Sequence, residues 1–191
     1  MRIARMISPV HALGPGERVC LWMQGCPRRC PGCISPEMQP ETGPQVPEKA
    51  LADILLSTAK QNGCTGLTVS GGDPFAQPEA LLRLLCALRE GFRDILVYTG
   101  YTLEEIRAGA CGEDGVRALS YVDVLIDGPY IQEQNIHSCV LRGSENQRIH
   151  YLSEDRAPEY EAYLAEGRML ESFVHNGQVV ITGIQDRREL T

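Results

Sequence analysis

The sequence lacks any apolar run near the roughly 20 residues that cross a bilayer, so we expect no membrane-spanning helix. Positive charge is scarce as well: 18 Lys and Arg stand against 25 Asp and Glu, and the formal charge of −7 argues against general nucleic-acid binding. Near the N-terminus, Pro9 and Gly14 interrupt the segment that would carry a secretory signal, so we expect none. Repeats and low-complexity tracts are also absent, and 191 residues suit one domain with a substantial core.

The cysteines are not arranged as a disulfide framework. Of the eight, five are scattered singly along the chain and three lie within one short loop. One tight cluster accompanied by single thiols is typical of a metalloprotein in a reducing compartment. We therefore expect a cytoplasmic protein whose scattered cysteines are incidental core residues. These are Cys20, Cys64, Cys86, Cys111 and Cys139.

Cys26, Cys30 and Cys33 have the spacing Cys-x3-Cys-x2-Cys. A [4Fe–4S] cluster normally takes four cysteine ligands, so three thiolates would leave one iron open to an outside ligand. An open iron can bind and activate a substrate, whereas a closed cluster only carries electrons. The loop therefore predicts a metal centre that binds a substrate.

A structural zinc site is the alternative interpretation of this loop, and it needs a fourth ligand from elsewhere in the chain. Zinc ribbons usually pair two Cys-x2-Cys knuckles, and the sequence has no second one. The candidates for a fourth ligand are His11, His137 and Cys139.

Strand and helix signals alternate along most of the chain, which predicts an α/β fold with right-handed βαβ units and a parallel sheet. Thr102 and Glu105 form a capping box at the start of one short helix. We predict strands over residues 19–23, 66–70, 95–98 and 122–126, and helices over residues 48–62, 78–90 and 102–109.

Loops with chemically useful residues follow these strands. They are the cysteine loop, the turn Gly71-Gly72-Asp73-Pro74, Thr99-Gly100 and Asp127-Gly128. Because ligands of such sheets bind at the carboxyl ends of the strands, we expect the four loops to meet on one rim.

The pattern changes near Ser153. A charged helix candidate covers residues 158–167, and two apolar runs flank His175-Asn176-Gly177, which is a good hairpin signal. We predict a core domain over residues 1–152 and, over residues 153–191, a C-terminal appendage of one helix and a β-ribbon packed on the same domain.

The cysteine spacing resembles the signature of the radical S-adenosylmethionine (SAM) superfamily. The turn at residues 71–74 resembles that family's glycine-rich motif, with Asp where Glu is often written. Further segments resemble glycyl-radical-enzyme activating enzymes, above all those of anaerobic ribonucleoside-triphosphate reductase, and the resemblance covers about residues 14–152. These segments are 14–16, 98–102, 124–128 and 142–147.

This resemblance implies a partial parallel (β/α) barrel of the radical SAM type. It implies that a reduced [4Fe–4S] cluster cleaves SAM to methionine and a 5′-deoxyadenosyl radical. That radical would abstract hydrogen from a glycine of a partner glycyl radical enzyme, anaerobic ribonucleotide reductase, with flavodoxin or a ferredoxin-type protein as reductant. Two alternatives stay open: a small-molecule radical SAM enzyme such as a deazaguanine synthase, and a non-catalytic Fe–S or zinc binding module.

The resemblance also implies roles for individual residues. The three loop cysteines would ligate the cluster. Gly72, with its neighbours Gly71 and Asp73, would hold the methionyl amino group of SAM. Gly32 and Ile34 flank the last cysteine, where related enzymes lay adenine against the loop, and this chain lacks their aromatic residue there.

Three polar residues have more than one interpretation. Thr99 and Asp127, each at a strand end, could contact SAM or a cation, or could cap a turn. The guanidinium of Arg142 suits the SAM carboxylate, but it could equally anchor the partner protein or form a structural bridge.

Overall fold

Six strands form one open sheet in the computed structural model, which describes residues 1–175 and 177–185. The spatial order follows the chain, β1 to β6; the three central pairs are parallel and the two edge pairs are antiparallel. The mixed α/β fold with a mostly parallel sheet is therefore confirmed, and the sheet is not closed. The strands are β1 Ile3–Val10, β2 Arg18–Met23, β3 Gly66–Gly71, β4 Asp94–Tyr98, β5 Val124–Asp127 and β6 Arg148–Tyr151.

Five α-helices accompany the sheet in the described part of the chain: α1 Glu48–Asn62, α2 Pro78–Leu88, α3 Leu103–Arg107, α4 Gly112–Ala118 and α5 Ala157–Ala165. Helix α1 has the predicted bounds and ends at Gly63, which adopts the left-handed conformation (φ 69°) typical of a helix C-terminus. The predicted capping box of α3 is present. Among the described residues, no helix combines the length and apolar character that crossing a bilayer requires.

Three elements were not predicted from the sequence: β1, β6 and α4. Strand β1 pairs with β2 through two register shifts, so it shows no strict alternation of apolar and polar residues. Strand β6 has four residues, none of them fully buried. Helix α4 contains Gly112 and Gly115, which are weak helix formers.

The sheet has two different faces. Leu21, Val69 and Val97 point to the face that α1 to α4 cover, and this forms the largest apolar cluster. Alternate residues of the same strands, such as Trp22 and Tyr98, point to the opposite face. The second face carries the candidate site.

The C-terminal segment packs on this second face. Tyr160 of α5 is buried and donates a 2.8 Å hydrogen bond to Asp94. The predicted hairpin is confirmed as β7 Leu170–His175 and β8 Gln178–Gly183, paired antiparallel. Residues 176 and 186–191, which the predicted appendage included, lie outside the described residues.

Candidate metal and cofactor site

A cavity opens at the carboxyl ends of the parallel strands, on the face that carries Trp22. Residues of all four predicted loops line it. They are Cys26, Cys30 and Cys33, then Gly71, Gly72 and Asp73, then Thr99 and Gly100, and finally Gly128. The structure thus brings these loops to one rim, as the carboxyl-end rule predicts.

The cysteine loop is held from behind by the segment that follows it. Gly25 N–H donates to the Met38 carbonyl at 2.8 Å, and Cys26 N–H donates to the Gln39 carbonyl at 2.9 Å. Within the loop, Cys33 N–H donates to the Cys30 carbonyl at 3.2 Å. All three cysteines are half-buried free thiols, so the loop presents them to the cavity without closing it.

Local groups act on the Cys26 thiol in opposite directions. Burial raises the pKa of Cys26, while the backbone N–H groups of Arg28 and Arg29 partly offset this rise. N–H groups that face a sulfur stabilise its thiolate form, which is the form that binds metal. The loop therefore contains part of the hydrogen bonding that a thiolate-bound cluster needs.

The donor set fits a multi-iron cluster better than one zinc ion. Among the described residues, no three His, Cys, Asp or Glu side chains converge closely enough to hold a single metal ion. Three thiolates suit three irons of a [4Fe–4S] cluster, whereas a structural zinc site needs a fourth ligand. None of the three candidate fourth zinc ligands lines the cavity. These are His11, His137 and Cys139.

The two glycines at the carboxyl end of β3, Gly71 and Gly72, allow direct backbone contact with the cysteine loop. Gly71 has φ +107°, and a Cβ there would overlap the Met23 backbone; a Cβ on Gly72 would overlap the Gly25 carbonyl. Gly72 N–H donates to the Met23 carbonyl at 2.7 Å, and Asp73 N–H donates to the Gly25 carbonyl at 2.9 Å. With those N–H groups engaged, the turn can offer carbonyl oxygens to an amino group.

Asp73 connects the loops after β3 and β4. Its Oδ1 accepts from Phe75 N–H at 3.0 Å and from the Thr99 hydroxyl at 2.9 Å, and its Oδ2 accepts from Gly100 N–H at 2.9 Å. Burial raises the pKa of Asp73, and these donors oppose that shift. Since Thr99 also accepts from Tyr101 N–H, the geometry favours the capped-turn interpretation of Thr99.

Asp127 does not line the cavity, and its contacts favour the capped-turn interpretation over contact with SAM or a cation. The side chain is fully buried, and its Oδ2 accepts from Leu103 N–H at 2.7 Å and from Arg148 Nη2 at 2.8 Å, with His150 Nε2 2.9 Å away. Burial would raise the pKa of Asp127, but the hydrogen bonds from Arg148 and Leu103 lower it. Asp127 joins the start of α3 to β6.

Arg142 is likewise a bridge within its own loop. Its Nη1 donates to the carbonyls of Glu145 and Gln147 at 3.3 and 3.2 Å, and Arg142 does not line the cavity. The Gln147 amide accepts from Gly143 N–H at 2.8 Å and donates to the Gly128 carbonyl at 2.8 Å. The loop of residues 142–147 therefore supports the rim through hydrogen bonds between its side chains and backbone groups.

Gly32 and Ile34 occupy different positions. Gly32 does not line the cavity, has φ +68°, and would overlap the Gln132 side chain if it carried a Cβ. The left-handed backbone conformation of Gly32 therefore disfavours an aromatic residue at position 32. Ile34 lines the cavity and is 41% exposed, so it offers an apolar surface at the mouth.

Several cavity residues were not predicted from the sequence. Trp22 packs in an apolar cluster but also lines the cavity, as does Tyr98 two strands away. Strict alternation in β2 could have placed Trp22 on the face opposite Leu21. Strand β8 and the residues after it, 180–185, form one cavity wall.

Arg28 brings positive charge into the cavity. Its Nη2 donates to Glu105 at 2.9 Å, and the guanidinium carbon lies 4.3 Å from the centre of the Tyr101 ring. An ion pair and a cation–π contact therefore fix the position of this guanidinium.

Comparison with known proteins agrees with this geometry. Residues 12–150 match the family described as a 4Fe-4S single cluster domain. The anaerobic ribonucleoside-triphosphate reductase-activating protein of Escherichia coli K12 is 32% identical over 145 residues, covering 73% of this chain and 91% of that protein. The proteins of the same name from Vibrio cholerae and Enterobacteria phage T4 are 36% and 35% identical, covering 72% and 71% of this chain and 89% and 85% of their own lengths.

The family match and the site therefore define the class of protein. It is a single-cluster [4Fe–4S] domain built on an open, mostly parallel α/β sheet. The chain belongs to the family of the anaerobic ribonucleoside-triphosphate reductase-activating proteins.

Proposed function

We propose that this protein is a radical SAM activase of a glycyl radical enzyme. The observation that carries the proposal is the joint placement of the three cysteines and the Gly71-Gly72 turn on one cavity. A cluster held by three thiolates needs a nearby group that orients the ligand of its open iron. The carbonyl oxygens of the glycine turn supply acceptors for the SAM amino group at that place.

Each part of the rim has a role in this proposal. Cys26, Cys30 and Cys33 hold the cluster and leave one iron open. Asp73 positions the glycine turn against the loop after β4 and does not itself bind SAM. Ile34 and Trp22 offer apolar surface to the adenosine part of the molecule. We further propose that the sheet is a partial barrel of the radical SAM type whose concave face is this second face.

When bound, the reduced cluster and SAM would supply the chemistry: reductive cleavage of SAM to methionine and a 5′-deoxyadenosyl radical, which would abstract a hydrogen atom from the target glycine. The residues that line the cavity exclude water and keep this radical near its target. No general base is needed, because a hydrogen atom and not a proton is transferred.

The partner we propose is anaerobic ribonucleoside-triphosphate reductase, the protein that the names of the relatives mention. The target glycine would enter the cavity on a peptide loop. A flavodoxin or ferredoxin-type protein would reduce the cluster, and the reaction would take place in the cytoplasm.

The test is anaerobic reconstitution with iron and sulfide, followed by SAM, dithionite and the reductase of the source organism. We expect 5′-deoxyadenosine in amounts matching SAM consumed, and an electron paramagnetic resonance doublet from a glycyl radical on the reductase. SAM cleavage without the doublet would favour a small-molecule radical SAM enzyme. A colourless protein with one zinc ion and no 5′-deoxyadenosine would overturn the proposal.

A further inference from the structure

The β-ribbon formed by β7 and β8 has an inner face that is firmly attached to the domain. Phe173 and Val180, which are cross-strand neighbours, pack against the apolar cluster that contains Trp22. Glu171 accepts hydrogen bonds of 2.7 Å from the N–H groups of His11 and Ala12. The ribbon is therefore a fixed wall of the cavity, and in the part of the chain that the structure describes its other face is exposed.

The outer face of the ribbon is apolar and carries no charged residue. Four large side chains form what we call the apolar patch, and Val174 and Val179 are paired across the two strands. Ser172 and Gly183 are the other residues with the same orientation. The exposed fractions in the patch are 55% for Leu170, 80% for Val174, 71% for Val179 and 41% for Ile181. An exposed apolar patch without charges is typical of the centre of a protein–protein interface.

The apolar patch is continuous with the mouth of the cavity. Ile181 belongs to the patch and also lines the cavity, and Ile34 of the cysteine loop lines the same cavity. By contrast, Ile54 and Val116, which are also exposed, lie on α1 and α4 on the opposite side of the sheet. A partner that covers the patch would therefore also lie over the entrance to the site.

The ribbon lies beyond the segment that matches the family model, which ends at residue 150. The cysteine loop and the glycine turn lie within that segment. The ribbon is thus an additional element that lies beside the site shared with the family. An element in this position can select one partner or strengthen its binding.

We propose that the apolar patch docks the glycyl radical enzyme while its glycine loop enters the cavity. This inference rests on the proposed function, because that reaction requires a protein segment to reach the site. The inner face of the ribbon packs on the domain, and residues 1–175 and 177–185 leave the outer face exposed, so the occupant we propose is another molecule. The patch is continuous with the cavity mouth at Ile181, and this favours a partner whose loop must enter the cavity there.

The experiment compares two charged variants of the reconstituted protein. Val174→Glu with Val179→Glu places two carboxylates in the patch, and Ile54→Glu places one on α1, where the side chain is 50% exposed. We measure the dissociation constant for anaerobic ribonucleoside-triphosphate reductase by interferometry, and SAM cleavage by dithionite-reduced protein without the reductase. We expect the double variant to raise the dissociation constant about tenfold or more, with cleavage unchanged, and Ile54→Glu to change neither.

An unchanged dissociation constant in the double variant would overturn the docking proposal while leaving the proposed function intact. A second result would also overturn the docking proposal: a wild-type protein that sediments as a dimer, and a double variant that is a monomer but binds the reductase as before. The patch would then join two copies of this chain. Failure of the wild-type protein to produce 5′-deoxyadenosine would contradict the proposed function, and the binding measurement distinguishes that failure from failure of the docking proposal.

Discussion

The strand-end rim and the C-terminal ribbon enclose the same cavity by different means. On the rim, backbone groups touch backbone groups: Gly72 and Asp73 donate to carbonyls of residues 23 and 25 at 2.7 and 2.9 Å. The ribbon is attached through its side chains, with Phe173 and Val180 packed on an apolar cluster. Close backbone contact tolerates few residue types, whereas apolar packing tolerates many of similar volume.

This difference explains why the rim carries recognisable motifs and the ribbon does not. It also predicts different consequences of mutation. Changes on the rim should affect the cluster, SAM cleavage or the fold, and changes on the outer face of the ribbon should affect only partner binding. The predictions below test that separation.

The largest effect is expected from removal of one cluster thiolate. Replacing Cys26, Cys30 or Cys33 by Ala leaves only two thiolates, so we expect loss of most bound iron and a decrease in SAM cleavage of about a thousandfold or more. Cys86→Ala is the matched control: Cys86, which was expected in the core, is instead an exposed free thiol on α2, so the variant should retain iron and activity. Equal losses in both variants would show that the ligands are misassigned.

Gly72→Ala should have the next largest effect. The added Cβ would overlap the Gly25 backbone, so the cysteine loop must move away from the glycine turn. We expect SAM cleavage to decrease about a hundredfold, because a displacement of about 1 Å can have that cost. The control is Gly91→Ala, whose Cβ would meet the flexible Leu56 side chain on the helical side. The measurement is 5′-deoxyadenosine formed per iron bound, and similar losses in both variants would contradict the claim.

Asp127→Asn should lower stability and leave the site intact. It removes a buried charge that Arg148 and Leu103 stabilise, and because the Arg148 side chain is 47% exposed, the free energy of unfolding should fall by about 2 kcal/mol. Asp73→Asn should instead decrease SAM cleavage, since Asp73 holds two rim loops together. Denaturant unfolding and SAM cleavage, measured on both variants, distinguish the two roles.

The pH dependence of unfolding provides a second measurement on Asp127. The pKa of Asp127 is lowered in the folded protein, so the unfolded chain binds its proton more tightly. This stabilisation is complete above a pH of about 4, the ordinary Asp value, and is lost as the pH falls through the lower folded value. Asp127→Asn should therefore reduce the loss of stability between neutral and acid pH. An unchanged acid dependence would contradict the role of Asp127.

The smallest effect is expected at Ile34. Replacing it by Ser removes apolar surface at the cavity mouth, so the KM for SAM should rise about fivefold with little change in kcat. Ile136→Ser is the control, because Ile136 is similarly exposed at 39% but does not line the cavity. A change in kcat alone would contradict a binding role for Ile34.

Much of this architecture could be predicted from the sequence, because local signals agreed with the tertiary structure. Helix α1, the capping box of α3 and the hairpin each depend on a few adjacent residues. The meeting of the four loops followed from the parallel strand order alone. Strands β1 and β6 could not be found in this way, since the register shifts of β1 remove a strict alternation and β6 has only four residues, none of them fully buried.

Asp127 shows that sequence spacing alone does not predict which face of the sheet a side chain occupies. A carboxylate at a strand end can face either side of the sheet, and only the alternation along β5 decides which. Leu125 faces the helices and Ile126 the opposite face, so Asp127 returns to the helical side, where it meets the start of α3. The role of Asp73 also depends on Thr99, a contact between residues 26 positions apart.

The open iron is the central claim, and Mössbauer spectroscopy on protein reconstituted with ⁵⁷Fe tests it most directly. Three cysteine ligands should give a [4Fe–4S] cluster in which one iron differs from the other three, and addition of SAM should shift the signal of that iron alone. Four equivalent irons, or a spectrum that SAM does not change, would contradict the account.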